Sequence, residues 1–355
     1  MKIFLVIPTL EQGGAERIMH ELANNFNLLG HEVHLCLLTN RRVFYVPDRG
    51  VHIHRLGFEN KNHLQKKVSE LKTFYKLRQL MVDIGPDVVL SFMDKYNVLT
   101  ILASRFLNLK VFVSDRSNPK KTISPILQFL KRLTYKHATG IVAQTSLAKE
   151  IIFELTNNPN IKVISNPLKH LELYPEIKRE RLIINVGRLV PEKGQKYLVE
   201  AFSKLSNTDW KLVILGDGTL KGALKNQIKM LGLEDRVIMP GSVRNVDEWL
   251  ARSSIFAFPS VSEGFPNALV EAMGAGLPCV SFDCDAGPKD IIVNNENGFL
   301  IETRNIAAFT EHLNTLCWDI TLRTRVGAQA LKISERLDGK VITNEYLNFF
   351  NPKDT

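Results

Sequence analysis

Two glutamates in the second half of the chain have the spacing of a ligand-binding site. Glu263 precedes a short helical pattern and Glu271 falls within it, with seven residues between them. The start of that helix offers unpaired backbone N–H groups and the positive end of a dipole, which suit a phosphate. Carboxylates beside it accept hydrogen bonds from hydroxyl groups. This spacing therefore predicts a pocket for a ligand with phosphate at one end and several hydroxyls at the other. Two solvated glutamates on a capped helix are the alternative.

Arg188 and Lys193 are the candidate partners of that phosphate. They flank a turn between a predicted strand, 182–186, and a predicted helix, 197–205. Two cations at the start of a helix can hold a diphosphate through charge-assisted hydrogen bonds. Ordinary surface charges on a turn are the alternative interpretation.

Short apolar segments and amphipathic helices must position these side chains. The stretch that carries the glutamates predicts a strand at 255–258, a helix from Pro266 to Gly274 and a strand at 279–282. Proline suits the first position of a helix, because its missing N–H is not needed there. Strand and helix alternate along the rest of the chain, and this pattern predicts an α/β protein with doubly wound parallel sheets.

Three further polar residues follow predicted strands in the first half. Asp94 comes after the strand 88–92, and Asp115 and Arg116 come after the strand 111–114. Open parallel sheets bind ligands at these strand ends. Either carboxylate could accept a proton, bind a sugar hydroxyl or cap a loop. The arginine could clamp a phosphate, but it cannot act as a base.

The motifs around the two glutamates resemble those of the retaining glycosyltransferases of family 4. The similar segments are Glu263–Gly264–Phe265–Pro266, Glu271–Ala272–Met273 and Gly276–Leu277–Pro278. The resemblance implies a GT-B fold, in which two Rossmann-like, doubly wound domains face a cleft. It places an acceptor-binding domain at 1–168, a nucleotide-sugar domain at 169–335, and a last helix, 336–355, that packs back on the first domain.

The same resemblance implies a role for each residue. Arg188 and Lys193 neutralise the donor diphosphate, Glu271 binds the ribose, and Glu263 holds the sugar and takes part in catalysis. Asp115 is the candidate catalytic residue on the acceptor side, and Asp94 and Arg116 are candidates for acceptor binding. Where the family often has a histidine, this chain has Arg116. The donor-binding set also includes Gly14, Val243, Phe265, Asn267, Ala268 and Leu269.

The implied reaction transfers a sugar from a nucleotide sugar, with UDP the expected nucleotide. The acceptor is expected to be a saccharide or a polyprenyl-diphosphate-linked glycan in bacterial surface polysaccharide synthesis. Neither a metal nor another cofactor is expected, although Asp283 and Asp285 have the spacing of a metal-binding pair. A sugar-nucleotide epimerase is the first alternative. A nucleic-acid-binding protein ranks last, because no motif for reading DNA or RNA is present.

Charge is unevenly distributed along the chain. The first 168 residues hold 23 Lys and Arg against 13 Asp and Glu, and the rest of the chain is close to neutral. An anionic partner such as a membrane surface would explain this asymmetry, and so would a merely solvated basic face. The segment 119–140 predicts a helix with an apolar stripe among basic residues. That helix either lies on an anionic membrane or packs on its own sheet. The stripe consists of Ile126, Phe129, Leu130 and Leu133, and the basic residues are Lys120, Lys121, Lys131, Arg132 and Lys136.

The location follows from cysteine usage and hydropathy. Four scattered cysteines without CxxC spacing predict neither disulfides nor a zinc site, which is typical of a reducing compartment. No apolar run is long enough to span a bilayer. We therefore expect a cytoplasmic protein, with contact at the inner face of the cytoplasmic membrane left open.

Overall fold

The chain divides into two compact units in a computed structural model that describes residues 1–58, 63–172 and 174–351. The first unit comprises Met1–Pro167 and the chain from Asp338 onward, and the second comprises Leu168–Leu337. The sequence placed these divisions after residues 168 and 335. Each unit has its own parallel sheet and its own core.

The first unit is an α/β layer structure around a parallel sheet. Among its described residues, seven strands follow the order β3-β2-β1-β4-β5-β6-β7. The strands are β1 (Lys2–Ile7), β2 (Glu32–Thr39), β3 (Val51–Phe58), β4 (Val88–Phe92), β5 (Lys110–Ser114), β6 (Gly140–Ala143) and β7 (Ile161–Val163). The helices are α1 (Gly14–Leu28), α2 (His63–Ile84), α3 (Asp94–Ser104), α4 (Pro125–Thr134) and α5 (Ser146–Thr156).

The second unit repeats this plan. Six described strands follow the order β10-β9-β8-β11-β12-β13, again all parallel. The strands are β8 (Leu182–Val186), β9 (Lys211–Leu215), β10 (Val237–Gly241), β11 (Ile255–Phe258), β12 (Cys279–Asp283) and β13 (Phe299–Glu302). The helices are α6 (Gln195–Ser203), α7 (Lys221–Met230), α8 (Val246–Arg252), α9 (Asn267–Gly274), α10 (Pro288–Ile291), α11 (Ile306–Trp318), α12 (Ile320–Leu331) and α13 (Ile333–Arg336).

Both strand orders confirm the predicted pair of Rossmann-like, doubly wound sheets. The strands are nearly continuous apolar runs, because a parallel sheet covered by helices is buried on both faces. In β1, Ile3 to Ile7 are all fully buried. In the second unit Trp210 lies in the core with Phe202 and other apolar side chains from the strands and helices.

The last helix, α14 (Gly339–Phe350), belongs to the first unit. The Asn25 side-chain amide on α1 donates to the Gly339 carbonyl at 3.3 Å and to the Thr343 hydroxyl at 3.1 Å. The Phe112 ring on β5 lies 4.8 Å from the Phe350 ring, centroid to centroid. The end of the chain thus covers a sheet made from its beginning.

Strand order fixes where ligands can bind. In each sheet the order reverses between two central strands, β1 and β4 in one unit and β8 and β11 in the other. A crevice opens at the carboxyl ends of two such strands, because their following helices cover opposite faces of the sheet. Every candidate site residue from the sequence lies on a segment that follows one of the strands.

Three histidines cluster on the outer strands of the first sheet. His34 Nδ1 lies 3.0 Å from His54 Nε2, and His34 Nε2 lies 2.9 Å from the Glu32 carboxylate. The ring of His52 stacks on His34 at 4.9 Å. Burial, and then the neighbouring His34 and His52, lower the pKa of His54 below its ordinary value of 6.5.

This cluster predicts an acid-sensitive sheet edge. Because the folded state lowers the pKa of His54, the unfolded chain binds a proton first as the pH falls through 6.5. Stability is then lost until the pH reaches the lowered folded value. We expect His54→Gln to lose less stability than the wild type between pH 7.5 and pH 5.5, measured by urea unfolding of the first unit. His170→Gln, an exposed site in the second unit, should follow the wild type. An unchanged acid response in His54→Gln would contradict the assignment.

Candidate functional site

The loops after β8 and β11 approach each other closely in the second unit. Gly194 ends the turn after β8 with a φ of +64°, and a Cβ there would lie 2.0 Å from the Pro259 carbonyl oxygen after β11. The Val261 N–H donates to the Glu192 carbonyl at 2.8 Å across the same contact. Only glycine combines this backbone conformation with so close an approach. The two loops are therefore fixed against each other.

This contact brings together two of the predicted residues. Lys193 Nζ donates to the Glu263 carboxylate at 2.6 Å, although seventy positions separate them. The Glu263 side chain is 7% exposed and that of Lys193 is 22% exposed. A buried carboxylate requires such a partner, because burial without one is costly. An ammonium group has three donors, so Lys193 keeps donors for a ligand while it binds Glu263.

Arg188 lies in the same loop and remains exposed. Among the residues that the structure describes, none is a hydrogen-bond partner of its guanidinium. Its backbone carbonyl accepts from the side chain of Gln195 at 3.0 Å, and Gln195 is 1% exposed. Sequence reasoning missed Gln195. Its burial and its hydrogen bond to the Arg188 carbonyl arise only in the folded chain, and no local pattern in the sequence indicates them.

Helix α9 begins at Asn267, one residue after the proline where the sequence placed its start. Phe265 and Leu269 are buried, whereas Asn267, Ala268 and Glu271 are half-buried. The Asn267 N–H donates to the Phe265 carbonyl at 3.0 Å. The predicted residues of this helix thus divide into a buried support and a partly accessible face.

Two other predicted donor-binding residues lie away from this helix. Gly14 is the first residue of α1, in the first unit, and Val243 is half-buried in the loop between β10 and α8. A Cβ on the neighbouring Gly13 would lie 2.2 Å from the Glu16 carboxylate. The start of α1 is thus already next to an acidic side chain. The roles of Gly14 and Val243 stay predictions.

In the first unit, Asp94 and Asp115 share one buried cation. Lys131 Nζ, on α4, donates to the Asp115 carboxylate at 2.6 Å and forms an ion pair with Asp94. The side chain of Lys131 is 7% exposed. The two acids follow β4 and β5, which are neighbours in the sheet. Their carboxylates therefore meet at one edge, where Lys131 offsets their repulsion.

Asp115 has two more donors. The Tyr135 hydroxyl donates to it at 2.6 Å and the Asn97 side chain at 3.1 Å. Burial raises the pKa of Asp115, Lys131 opposes this rise, and the Asp94 charge adds to it. Burial alone would lower the pKa of Lys131, but Asp115 and Asp94 together raise it. The sequence considered loop capping or catalysis for these acids and did not foresee a shared lysine. Their catalytic and acceptor roles stay predictions.

Arg116 contacts the protein on several sides. Its guanidinium lies 3.7 Å from the centre of the Phe92 ring and donates to Asn166 at 2.7 Å and to the Tyr346 hydroxyl at 2.5 Å. Burial lowers the pKa of Arg116. It also leaves the Arg116 Nε without a hydrogen-bond partner. This arginine thus joins the end of β5 to α14, and its predicted role in acceptor binding is untested.

Helix α4 packs on the core of its own unit with part of its apolar surface and leaves the rest of that surface exposed. Ile126, Phe129 and Leu133 are 75%, 60% and 42% exposed, whereas Leu127 and Leu130 pack against the core of the unit. The prediction that Lys131 belongs to the basic surround of the stripe is wrong. Its position in the helical repeat points inward, and its charge is buried against two acids.

None of the described helices is long and apolar enough to cross a membrane. Among the described residues, no group of three His, Cys, Asp or Glu side chains is placed to hold a metal ion. The four cysteines are free and buried.

Two family models match successive parts of the chain. The model described as Glycosyltransferase Family 4 matches residues 12–170, and the model described as Glycosyl transferases group 1 matches residues 172–333. The chain belongs to glycosyltransferase family 4. This match supports a transferase over the epimerase and the nucleic-acid-binding protein that the sequence left as alternatives.

Two curated relatives align with this chain, one over almost its whole length and the other over about two thirds of it. The Campylobacter jejuni N-acetylgalactosamine-N,N'-diacetylbacillosaminyl-diphospho-undecaprenol 4-alpha-N-acetylgalactosaminyltransferase is 28% identical over 98% of this chain and 99% of its own. The Escherichia coli UDP-Gal:alpha-D-GlcNAc-diphosphoundecaprenol alpha-1,3-galactosyltransferase is 28% identical over 69% of this chain and 70% of its own. Relatives of this glycosyltransferase thus act on lipid-linked acceptors.

A solved structure shows the same fold. Anabaena HepE, determined in complex with UDP, superposes with a TM-score of 0.84 at 18% identity, over 99% of this chain and 100% of its own. The likeness confirms the GT-B fold class predicted for this glycosyltransferase.

The lysine shared by Asp94 and Asp115 gives a stability prediction. Lys131→Met leaves two largely buried carboxylates without their cation, and breaking a buried pair costs about 3 kcal/mol or more. We expect the free energy of unfolding of the first unit to fall by about 3 kcal/mol in urea titrations at pH 7. Arg132→Met, an exposed neighbour on the same helix, should change it by less than about 0.5 kcal/mol. Equal effects of the two substitutions would contradict the role of Lys131.

Proposed function

We propose that this enzyme is a retaining glycosyltransferase that uses a UDP sugar and a polyprenyl-diphosphate-linked glycan acceptor. The lipid-linked acceptors named for its relatives support the acceptor class. A UDP-bound structure of the same fold and a UDP-Gal relative favour the nucleotide. The product would be a longer lipid-linked glycan for bacterial surface polysaccharide.

The observation that carries the donor site is the contact between Lys193 and Glu263 at the switch point of the second sheet. In this proposal the exposed guanidinium of Arg188 and the remaining donors of Lys193 bind the diphosphate. The start of α9 adds its positive dipole end beside them. Glu271, half-buried on the same helix, accepts from the ribose hydroxyls. Glu263 accepts from sugar hydroxyls while it orients Lys193.

These groups promote departure of the nucleoside diphosphate. Negative charge grows on the diphosphate oxygens as the bond to the sugar carbon breaks. Fixed cations aimed at that charge stabilise the transition state more than the ground state. The acceptor hydroxyl attacks from the face that the leaving group vacates, and its proton passes to the departing diphosphate oxygen. This course preserves the anomeric configuration, so no protein nucleophile is assigned. The described residues supply the cationic groups for this step, and we propose that no metal takes part.

We further assign α4 to the cytoplasmic face of the membrane, where a lipid-linked acceptor would lie. Three large apolar side chains of this helix, Ile126, Phe129 and Leu133, are exposed on one side. Exposed basic residues lie before, between and after them in the chain, namely Lys120, Lys121, Arg132 and Lys136. An exposed apolar face with a basic border suits the interface of an anionic bilayer.

Donor binding gives the first test of this proposal. UDP at a hundred times its dissociation constant should stabilise the second unit by about 2.7 kcal/mol, seen as a higher melting temperature. In Glu271→Ala we expect at least tenfold weaker binding, because the ribose hydroxyls lose their acceptor. Glu311→Ala, an exposed glutamate on α11, should bind like the wild type. A folded protein that responds to no nucleoside diphosphate would contradict the donor site.

Vesicle binding tests the assignment of α4. We expect co-sedimentation with vesicles containing phosphatidylglycerol. At 0.5 M salt the Debye length falls to roughly 4 Å and screens the attraction between the basic residues and the anionic lipid, so co-sedimentation should be much weaker. The double substitution Ile126→Ser and Phe129→Ser should weaken binding at least tenfold, since each removes about 1 kcal/mol or more of apolar burial. Met230→Ser is the control, because Met230 is 80% exposed in the other unit. Equal loss in the control would show that α4 is not the membrane contact.

A further inference from the structure

We infer that an apolar cavity beside α4 binds one isoprene unit of the lipid on the acceptor. This inference rests on the proposed function, because it concerns the substrate of the same enzyme. It adds a subsite for the hydrocarbon part of that substrate, separate from the residues that bind sugar and phosphate.

The cavity lies between α2, α3 and α4, wholly within the first unit. It has a volume of about 170 Å³. Leucines from the end of β2 and from two helices form most of its lining, together with Tyr96 and Val98. The leucines are Leu38, Leu99, Leu102, Leu127 and Leu130. Such a lining offers a hydrocarbon dispersion contacts and gives water few hydrogen bonds.

The volume sets the size of the occupant. An apolar cavity of about 150 Å³ lined by similar side chains in another protein stays dry and binds benzene. A five-carbon isoprene unit is a compact group of comparable size. The cavity can therefore hold one such unit, and the rest of a long polyprenyl chain must continue outside it.

The exposed face of α4 provides that continuation. Ile126, Phe129 and Leu133 lie on the outer side of the helix, and Leu127 lies on the cavity side. At 100° per residue, Leu130 falls between the two sides and lines the cavity itself. Leu130 thus links the apolar lining of the cavity to the exposed apolar side of α4. A chain that leaves the cavity would remain in apolar surroundings.

The rim of the cavity carries charge. Lys95 on α3 donates to the Glu70 carboxylate on α2 at 2.7 Å, and both side chains line the cavity. The Lys95 side chain is 51% exposed and that of Glu70 is 38% exposed. An ion pair exposed to this degree contributes little to stability. A phosphate attached to the bound isoprene unit would compete with Glu70 for the Lys95 ammonium group. The rim thus matches the charged end of a polyprenyl phosphate.

Short soluble lipids test this subsite in the whole protein. Isothermal titration would compare geranyl phosphate, decyl phosphate and inorganic phosphate, each below its micelle concentration. We expect geranyl phosphate to bind at least tenfold more tightly than either of the others. The branched isoprene unit fills a compact cavity, whereas an unbranched chain needs a longer channel.

Cavity-filling variants locate the binding. Leu99→Trp on α3 should weaken geranyl phosphate binding at least tenfold. If that variant does not fold, Leu127→Phe on α4 takes its place, with the same expected loss. Val82→Trp introduces the same side chain at an exposed position of α2 outside the cavity and should stay within twofold of the wild type. All three variants should keep the UDP-induced rise in melting temperature, because Arg188, Lys193, Glu263 and Glu271 lie in the other unit.

Each contrary result has a distinct meaning. Unchanged geranyl phosphate binding in the filled variants, or its absence in the wild type, would overturn the subsite while a retained UDP response leaves the proposed function intact. Equal binding of decyl phosphate would overturn the assignment to an isoprenoid and indicate an acyl lipid instead. Equal binding of inorganic phosphate would show that the chain makes no contact. Loss of the UDP response alone would count against the donor proposal and not against the cavity.

Discussion

The close approach of two loops at the switch point of the second sheet is the constraint on which the candidate donor site depends. Parallel order places the ends of β8 and β11 side by side. Gly194 then lets one loop rest on the Pro259 carbonyl of the other. Only in that arrangement can Lys193 satisfy the buried carboxylate of Glu263. A side chain at position 194 would separate the two loops. The Glu263 carboxylate would then stay buried while the Lys193 ammonium group moved away from it.

The first unit also contains buried charges that depend on one another, here two carboxylates and one lysine. Two acids at neighbouring strand ends are held together by Lys131, which extends from α4 to the edge of the sheet. The same helix presents Phe129 to solvent. One helix therefore connects the proposed membrane face with the strand ends where the acceptor-side residues lie. Its buried lysine fixes the helix in register, since a shift of one residue would turn the ammonium group away from both acids.

The sequence predicted what local patterns and motif spacing determine. Apolar runs gave the strands and their parallel order, and β4 and β8 have the predicted bounds. Contacts between distant residues were harder. The spacing of Glu263 and Glu271 indicated a site, but nothing local showed that Lys193 would bind Glu263. The sequence pattern placed Lys131 on the basic border of α4, because its two buried partners depend on β4 and β5 being neighbours in the sheet. Arg116 likewise contacts Tyr346, whose nearness follows only from the packing of α14.

Hydrogen–deuterium exchange with and without a bound nucleotide tests most directly whether the donor binds at the switch point of the second sheet. The ligand would be the nucleoside diphosphate that raises the melting temperature most. We predict slower exchange at 187–195 and 263–271, the two segments that bring Arg188, Lys193, Glu263 and Glu271 together. Protection confined to the first unit, or none in these two segments at saturating ligand, would contradict this placement of the donor.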